Sequence, residues 1–257
     1  MVGNKISKYV VFDILRNKWL ITYTVFLLCI SSGLIYFSHD TTKSIISILN
    51  VVLLLVPLVS IVFGTIHFYN SREFIEMLLS QPVKRSNIFW AEYLGLSVSL
   101  SLGFLIGVII PLSFYGVSAI LIYLAITGVF LSFIFVAVSM LTAISNDEKV
   151  KGIGLSFFIW FYFAILFDGI VLLIYVLFND YPLEKIVILL TSLNPVDLSR
   201  IMILLKLDIS ALMGYSGATF HKFYGSMLGT ISSLCMLILW TAAPVFLALR
   251  KFRKKNF

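Results

Sequence analysis

Residues 72–95 read R-E-F-I-E-M-L-L-S-Q-P-V-K-R-S-N-I-F-W-A-E-Y-L-G, a charged stretch between two long apolar runs. A membrane protein that only has to reverse its direction can use a short polar loop at this point. This stretch instead predicts about two turns of amphipathic helix. Pro82 should end that helix, because proline lacks a backbone N–H and disfavours helix before it. Lys84 and Arg85 follow as a basic pair at the membrane surface. Such an insert is typical of a helix that another protein contacts and displaces.

The composition indicates a membrane protein. Of the 257 residues, 60% are hydrophobic and 12% are charged, and the mean hydropathy is +1.05. A soluble domain carries about 25% charged residues. The apolar runs are continuous, whereas the strands of a membrane barrel alternate apolar and polar residues over about ten positions. We therefore expect an all-α integral membrane protein with one transmembrane domain, residues 1–257.

Six apolar runs are long enough to cross about 30 Å of hydrocarbon. Residues 1–18, before the first run, predict a short interfacial helix. Two long inserts separate the runs, at residues 69–92 and 179–225. The predicted spans are Trp19–Phe37, Ile45–Phe68, Tyr93–Tyr115, Ser118–Ile144, Gly152–Phe178 and Ser226–Leu249.

Lysine and arginine are distributed unevenly around these spans. With the N-terminus in the cytoplasm, 14 of the 19 fall on the inner side and 5 on the outer side, as the positive-inside rule requires. We therefore expect both termini in the cytoplasm and a multi-pass protein of the bacterial inner membrane, with no nucleic-acid partner. The inner residues are Lys5, Lys8, Arg16, Lys18, Arg72, Lys84, Arg85, Lys149, Lys151, Arg250, Lys251, Arg253, Lys254 and Lys255, and the outer residues are Lys43, Lys185, Arg200, Lys206 and Lys222.

The outer insert, residues 179–225, contains two apolar pieces that are each shorter than a span, with Pro195 between them. A chain that leaves and re-enters one membrane face produces such pieces. The alternative is a sixth and a seventh span joined at Asn194. Lys206 and Asp208 argue against it, since each charge costs about 2.5–3.5 kcal/mol near a helix centre. We therefore expect re-entrant or interfacial gate helices on the outer side.

The sequence lacks the motifs of an enzyme. Residues 152–158, G-I-G-L-S-F-F, lack the third glycine and the strand context of a phosphate-binding loop. His39, His67 and His221 are scattered and match no metal-binding motif. The methionines near His221 match no compact copper-ligand set, and methionine is a common filler of apolar helices. We expect a non-catalytic chain with no metal site and no cofactor of its own.

Asp168 is an acid deep in an apolar span, in the sequence F-A-I-L-F-D-G of Phe163–Gly169. An ionised carboxylate is costly at that depth, so we expect it to face the bundle interior and pair with a donor, or to be protonated. Two interpretations stay open for this intramembrane polar residue. It either lines or gates a pathway, or it makes a structural hydrogen bond between helices.

The pattern E-x-L-L-x-x-P-V-x-R, met here from Glu76 to Arg85, resembles the coupling helix of ABC-2 transporter permeases. In that family the helix lies between the second and third spans and docks on a cytoplasmic ATPase. The resemblance implies a six-span, type V exporter-like permease half, with ATP and Mg²⁺ bound by the partner ATPase. Glu92 departs from the family, in which a lysine often precedes the Tyr-Leu-Gly of the third span. The residues expected to couple to the ATPase are Arg72, Glu73, Glu76, Met77, Leu79, Gln81, Pro82 and Arg85.

The stretch Leu193–Phe220, L-N-P-V-D-L-S-R-I-M-I-L-L-K-L-D-I-S-A-L-M-G-Y-S-G-A-T-F, is similar to the corresponding stretch of NosY-type permeases. Those permeases belong to the NosDFY complex of nitrous-oxide reductase maturation. The resemblance implies that two copies of the chain pair, with NosF-like ATPase subunits on the cytoplasmic side and a NosD-like protein in the periplasm. It implies a role in building the copper–sulfide cluster, by exporting a sulfur species or by transmitting ATP-driven motion. The expected outer gate and partner surface comprises Asn194, Pro195, Asp197, Arg200, Met213, Gly214, Tyr215 and Gly217.

Two other functions fit parts of the sequence. An ABC-2 exporter of a lipid, a polysaccharide or a drug would share the coupling pattern. A membrane scaffold or immunity protein without transport would need no ATPase, and its function would survive the loss of residues 72–85.

Overall fold

The computed structural model describes residues 10–38, 41–114, 119–178, 189–204 and 227–255, and no strand occurs in these ranges. The fold is therefore all-α, as predicted. The helices are α1 (10–15), α2 (Lys18–Phe37), α3 (Thr41–Asn70), α4 (Arg72–Leu79), α5 (Arg85–Phe104), α6 (Ile110–Ser113), α7 (Ala119–Ser145), α8 (Lys149–Phe161), α9 (Phe167–Leu177), α10 (Pro195–Leu204) and α11 (Met227–Lys254), and residues 189–192 are also helical. A π turn, Leu105–Ile109, joins α5 to α6, and a second, Tyr162–Leu166, joins α8 to α9.

Six continuous helical segments in the described part of the chain are long and apolar enough to cross a membrane. The predicted six-span architecture is confirmed, but the helix of the third span starts earlier than predicted. Its helix begins at Arg85 rather than Tyr93, because Pro82 ends the preceding helix and a new one starts as soon as the proline is passed. The segments are Lys18–Phe37, Lys43–Asn70, Arg85–Ser113, Ala119–Ser145, Lys149–Leu177 and Gly229–Lys254.

The centre of the bundle is α7, which packs against α3, α5, α8, α10 and α11. Association of helices in a membrane depends on close packing at small residues, since lipid tails are as apolar as leucine. Gly64 of α3 lies so close to Ser139 of α7 that a Cβ at Gly64 would overlap the Ser139 hydroxyl. Gly128 of α7 similarly lies against the ring of Phe104. Small residues therefore let α3 and α5 reach the central helix.

The first π turn is where α2 meets the third span. Its backbone shifts to the i→i+5 pattern, with the Ile110 N–H donating to the Leu105 carbonyl. Ser31 of α2 donates its hydroxyl proton to the Gly107 carbonyl at 2.7 Å. A Cβ on Gly107 would lie 2.7 Å from the Leu27 Cβ and 3.0 Å from the Thr24 carbonyl oxygen. Glycine is therefore required here by the approach of two backbones.

The fifth span, α8 and α9, lies at the edge of the described bundle. Within α8 the buried positions are Gly152, Ser156 and Trp160, and within α9 the buried side chain is Phe167. The four-residue spacing of 152, 156 and 160 gives α8 one narrow buried stripe. The span is therefore attached to the rest of the molecule along a single face.

Candidate coupling hairpin and midplane cluster

The insert between the second and third spans forms the amphipathic helix α4. Ile75 and Leu78 are buried against the bundle, while Glu73, Glu76 and Met77 are exposed. Glu73 lies in the first turn, where negative charge favours the helix dipole. The helix thus presents an acidic face outward and an apolar face to the bundle.

The other coupling residues of the sequence prediction have different surroundings. Arg72 Nε donates to Glu76 Oε1 at 3.0 Å, one helical turn away on the exposed face of α4. The helix ends at Leu79, and Gln81 and Pro82 form the turn that leads to α5. We call α4 together with this turn the coupling hairpin, residues 72–84.

The base of the coupling hairpin is held by a buried histidine and glutamate. His67 Nε2, in the last turn of α3, lies 3.3 Å from Glu92 Oε2 of α5, and their side chains are 11% and 5% exposed. The Ser71 hydroxyl, immediately before α4, lies 3.3 Å from the same nitrogen. Glu92, which departs from the family pattern, therefore joins the two helices that carry the hairpin. This pairing could not be predicted, because His67 and Glu92 are 25 positions apart in the sequence.

Arg85 points to the end of the last helix rather than away from the protein. Its Nη1 donates to the carbonyl oxygens of Lys255, at 2.7 Å, and Arg253, at 3.2 Å. These carbonyls belong to the end of α11, where backbone acceptors lack helical partners, so Arg85 caps that helix. Lys255 Nζ in turn lies 2.9 Å from Asp147 Oδ1. This hydrogen bond and the charge of Lys255 hold the pKa of the Asp147 carboxyl below its usual range.

Away from the coupling hairpin, the outer insert contacts the membrane-spanning helices near their middle. Asn194 Nδ2 donates to the Phe163 carbonyl at 2.9 Å, and Trp240 Nε1 donates to the Ser192 carbonyl at 3.1 Å. Phe163 is 14 residues from each end of the span Lys149–Leu177. Since an α-helix rises steadily by 1.5 Å per residue, the segment around Asn194 lies near the midplane.

The second π turn makes the Phe163 carbonyl available. In a regular α-helix the Phe167 N–H would donate to Phe163, but here it donates to the Tyr162 carbonyl. Asn194 bonds the carbonyl that has lost this partner. At the first π turn, Ser31 bonds the Gly107 carbonyl, whose i+4 partner would be Pro111, a residue without a backbone N–H. Each π turn thus receives a side-chain hydrogen bond from a neighbouring element.

Four polar side chains meet beside this turn, and we call Asp168, Asn194, Asp197 and Arg200 the midplane cluster. Arg200 Nη1 donates to Asp168 Oδ2 at 2.7 Å and to Asp197 Oδ1 at 3.1 Å. The second amide proton of Asn194 goes to Asp197 Oδ2 at 2.9 Å. Asn194 Oδ1 accepts from the Val196 N–H at 3.0 Å and so caps the start of α10. One guanidinium on α10 therefore bonds Asp168 of α9 and Asp197 of its own helix, and the bond to Asp168 links the two helices.

The cluster unites two separate predictions from the sequence. One is that the intramembrane acid Asp168 needs a partner, and the other is that Asn194, Pro195, Asp197 and Arg200 belong to an outer gate. The structure brings Asp168 to α10, where Pro195 is the first helical residue. The other gate residues, Met213, Gly214, Tyr215 and Gly217, lie outside the described residues.

The described residues do not form a metal centre. Among the residues that the structure describes, no group of three His, Cys, Asp or Glu side chains could hold a metal ion. Cys29 and Cys235 are both free thiols on exposed positions of their helices.

The comparisons with known proteins agree with this architecture. The family described as ABC-2 family transporter protein matches residues 37–257. A protein of Pseudomonas aeruginosa named "Probable ABC transporter permease protein NosY" is 25% identical over 95% of this chain and 94% of its own length. The protein of the same name from Stutzerimonas stutzeri is 24% identical over 95% of both chains. Permease subunits of such transporters are typically non-catalytic and work with an ATPase partner. The chain is a NosY-like, multi-pass membrane protein and belongs to the ABC-2 family of transporter permeases.

Proposed function

We propose that this chain is the permease subunit of a NosDFY-like complex and transmits ATP-driven motion across the bacterial inner membrane for assembly of the copper–sulfide cluster of nitrous-oxide reductase. A NosF-like cytoplasmic ATPase binds ATP and Mg²⁺, a NosD-like protein binds on the periplasmic side, and two copies of the chain pair. One observation carries the proposal. The chain has a protruding amphipathic helix at one end and a polar cluster at the midplane, and both are bonded to the spans.

The coupling hairpin suits the receiving end of this transmission. The apolar face of α4 is occupied by the bundle, so a partner meets Glu73, Glu76 and Met77. The hairpin joins α3 and α5 covalently, and the His67–Glu92 contact holds those two helices together at its base. Displacement of α4 by an ATPase is therefore passed to both helices.

The midplane cluster is suited to pass this displacement on towards the periplasmic side. Arg200 ties α10 to α9 through Asp168, so movement of the fifth span shifts the re-entrant segment. In this proposal the chain beyond that segment contributes Met213, Gly214, Tyr215 and Gly217 to the outer gate and partner surface. Arg200 also bonds Asp197, whose side chain is 12% exposed, and this second bond holds the guanidinium in place beside α9. Transmission of motion needs no ligand-binding residue in this chain.

The acidic face of α4 provides the test. The double substitution Glu73→Lys and Glu76→Lys reverses two exposed charges and leaves the buried Ile75 and Leu78 unchanged. We expect recovery of the ATPase with the tagged permease to fall at least about tenfold, which corresponds to about 1.4 kcal/mol of binding free energy. Quantitative pull-down from membranes measures this, together with the ATPase activity of the recovered complex.

Glu148→Lys is the matched control, because Glu148 is another exposed acid on an inter-helix turn and pairs only locally with Lys151. It should retain the partner. In cells without this gene, the reductase should lack its copper–sulfide cluster and regain it with the wild-type gene but not with the double variant. Full ATPase recovery by the double variant, or a normal cluster in the deletion strain, would refute the proposed function.

A further inference from the structure

The fifth span follows α3 along one polar edge. Lys149 Nζ donates to the Asn70 side chain at 2.9 Å, and Trp160 Nε1 donates to the Leu54 carbonyl at 3.1 Å. Beside the first of these bonds, the Tyr69 hydroxyl donates to the Asn146 carbonyl at 2.8 Å, just before α8. These contacts extend from the base of the coupling hairpin towards the middle of the bundle. They make α3 the helix that positions α8.

The central contact on this edge is made by Ser156. Its hydroxyl oxygen lies 2.7 Å from Thr65 Oγ1 of α3 and 2.7 Å from Thr142 Oγ1 of α7. All three side chains are buried, with Ser156 and Thr65 fully inaccessible. One serine therefore joins three spans at a point where water cannot replace a lost bond.

The number of protons in this network is smaller than the number of short contacts. Thr65 Oγ1 also lies 2.7 Å from the Ile61 carbonyl, and Thr142 Oγ1 lies 2.8 Å from the Ser139 carbonyl. Three hydroxyls supply three protons, whereas the chain Ile61–Thr65–Ser156–Thr142–Ser139 contains four contacts. One contact lacks a proton at any moment.

Two arrangements keep both contacts of Ser156 bonded. In one, Thr65 donates to Ser156, Ser156 donates to Thr142, and Thr142 donates to its own helix. In the other, Thr142 donates to Ser156, Ser156 donates to Thr65, and Thr65 donates to the Ile61 carbonyl. The carbonyl that loses its hydroxyl partner, Ile61 in the first arrangement and Ser139 in the second, stays in its helix, where a backbone N–H is available to it. The two arrangements are therefore close in energy, and the network can change direction without releasing α8.

We propose that Ser156 is a positioning residue that passes movement of α3 to the fifth span, through a hydroxyl chain that reverses its direction as α3 and α7 shift. This inference rests on the proposed function, because it assumes that an ATPase displaces α3 through the coupling hairpin. From Ser156 the span continues through the second π turn to Asp168, about 18 Å away at 1.5 Å per residue. Motion that reaches Ser156 is thereby delivered to the midplane cluster.

The test measures movement between the two ends of the path. Spin labels are placed at Ser80→Cys, at the end of α4, and Leu177→Cys on α9, both exposed, in a chain whose native cysteines are replaced by alanine. Labelled chains are mixed with excess unlabelled chains and purified with the ATPase in nanodiscs. Pulsed electron-spin resonance compares the label distance without nucleotide and with ATP and vanadate. We expect a shift on the order of 2 Å in the wild-type sequence.

Ser156→Ala should reduce this shift by at least half without changing ATPase recovery or the thermal unfolding midpoint. Thr65→Val should act in the same way, and Thr65→Ser, which keeps the hydroxyl, should restore the shift. Thr127→Val is the matched control, because the buried Thr127 hydroxyl bonds, within the part of the chain that the structure describes, only the carbonyls of Tyr123 and Leu124 in its own helix. It should leave the shift intact.

This experiment distinguishes a failure of the proposed function from a failure of the role proposed for Ser156. A wild-type chain that binds no ATPase, or shows no shift with nucleotide, overturns the proposed function and this inference with it. A wild-type chain that binds and shifts, beside a Ser156→Ala variant with the same shift, overturns the role of Ser156 alone. An equal loss in Thr127→Val also overturns it, since any buried hydroxyl would then have the same effect.

Discussion

Arg200→Gln is expected to lower the free energy of unfolding by about 3 kcal/mol, because it leaves two carboxylates at the midplane without their cation. Arg200 serves both Asp168 and Asp197, at 2.7 and 3.1 Å. The estimate is at the low end for a buried ion pair because the Asp168 side chain is 38% exposed, whereas that of Asp197 is 12% exposed. Thermal unfolding of the detergent-solubilised chain, followed by loss of the monodisperse species, measures the effect.

Asp168→Asn tests whether stability depends on the charge balance of the midplane cluster or on the single contact between Asp168 and Arg200. It removes one of the two carboxylates and leaves Arg200 paired with Asp197. We therefore expect nearly wild-type stability and assembly but reduced cluster maturation, because the charged link between α9 and α10 is gone. Equal unfolding midpoints for Arg200→Gln and the wild type would contradict the electrostatic account. Equal maturation in Asp168→Asn and the wild type would make Asp168 a purely structural residue.

Gly107→Ala is expected to destabilise the chain by about 1–3 kcal/mol, the usual cost of overfilling a packed site. The added methyl group would lie 2.7 Å from the Leu27 Cβ and 3.0 Å from the Thr24 carbonyl oxygen. Neither atom can move by a side-chain rotation, so α2 must separate from the third span. That separation also lengthens the 2.7 Å hydrogen bond from Ser31 to Gly107. The same unfolding assay measures the loss.

Gly33→Ala is the control for this substitution. A Cβ at Gly33, two residues beyond Ser31 on α2, would meet nothing within 4 Å. Alanine is the better helix former by about 1 kcal/mol, so this variant should be as stable as the wild type or slightly more stable. The opposite signs at two helical glycines distinguish packing from helix propensity. A neutral Gly107→Ala would show that α2 does not approach the π turn as closely as described.

The spans and the coupling hairpin could be predicted from the sequence because both depend on local patterns. A long apolar run specifies a membrane helix wherever it occurs. The alternation of charged and apolar residues around Glu76, followed by Pro82, similarly specifies a short amphipathic helix and its end. The start of the third span was less predictable, because Arg85 to Glu92 carries charges that are typical of the membrane surface and yet continues the helix.

The partners of the polar residues could not be predicted, because they depend on the relative positions of distant segments. Asp168 and Arg200 are 32 positions apart, and they meet only because the outer insert descends to the midplane. The π turn that frees the Phe163 carbonyl has no clear sequence signal, whereas Pro111, four residues after Gly107, is a signal that the Gly107 carbonyl lacks its helical partner. His67 and Glu92 offered a weak signal, an acid where the family favours lysine and a histidine at the end of the preceding span.

The central claim is that an ATPase engages the exposed face of α4, and a photocrosslinker at one position tests it most directly. p-Benzoylphenylalanine at Met77, which is 52% exposed on α4, is activated in intact membranes, with Phe158, 58% exposed on α8, as the reference position. The account predicts a crosslink from Met77 to a nucleotide-binding ATPase and none from Phe158. A chain that yields no ATPase crosslink at Met77, or the same products at both positions, would contradict it.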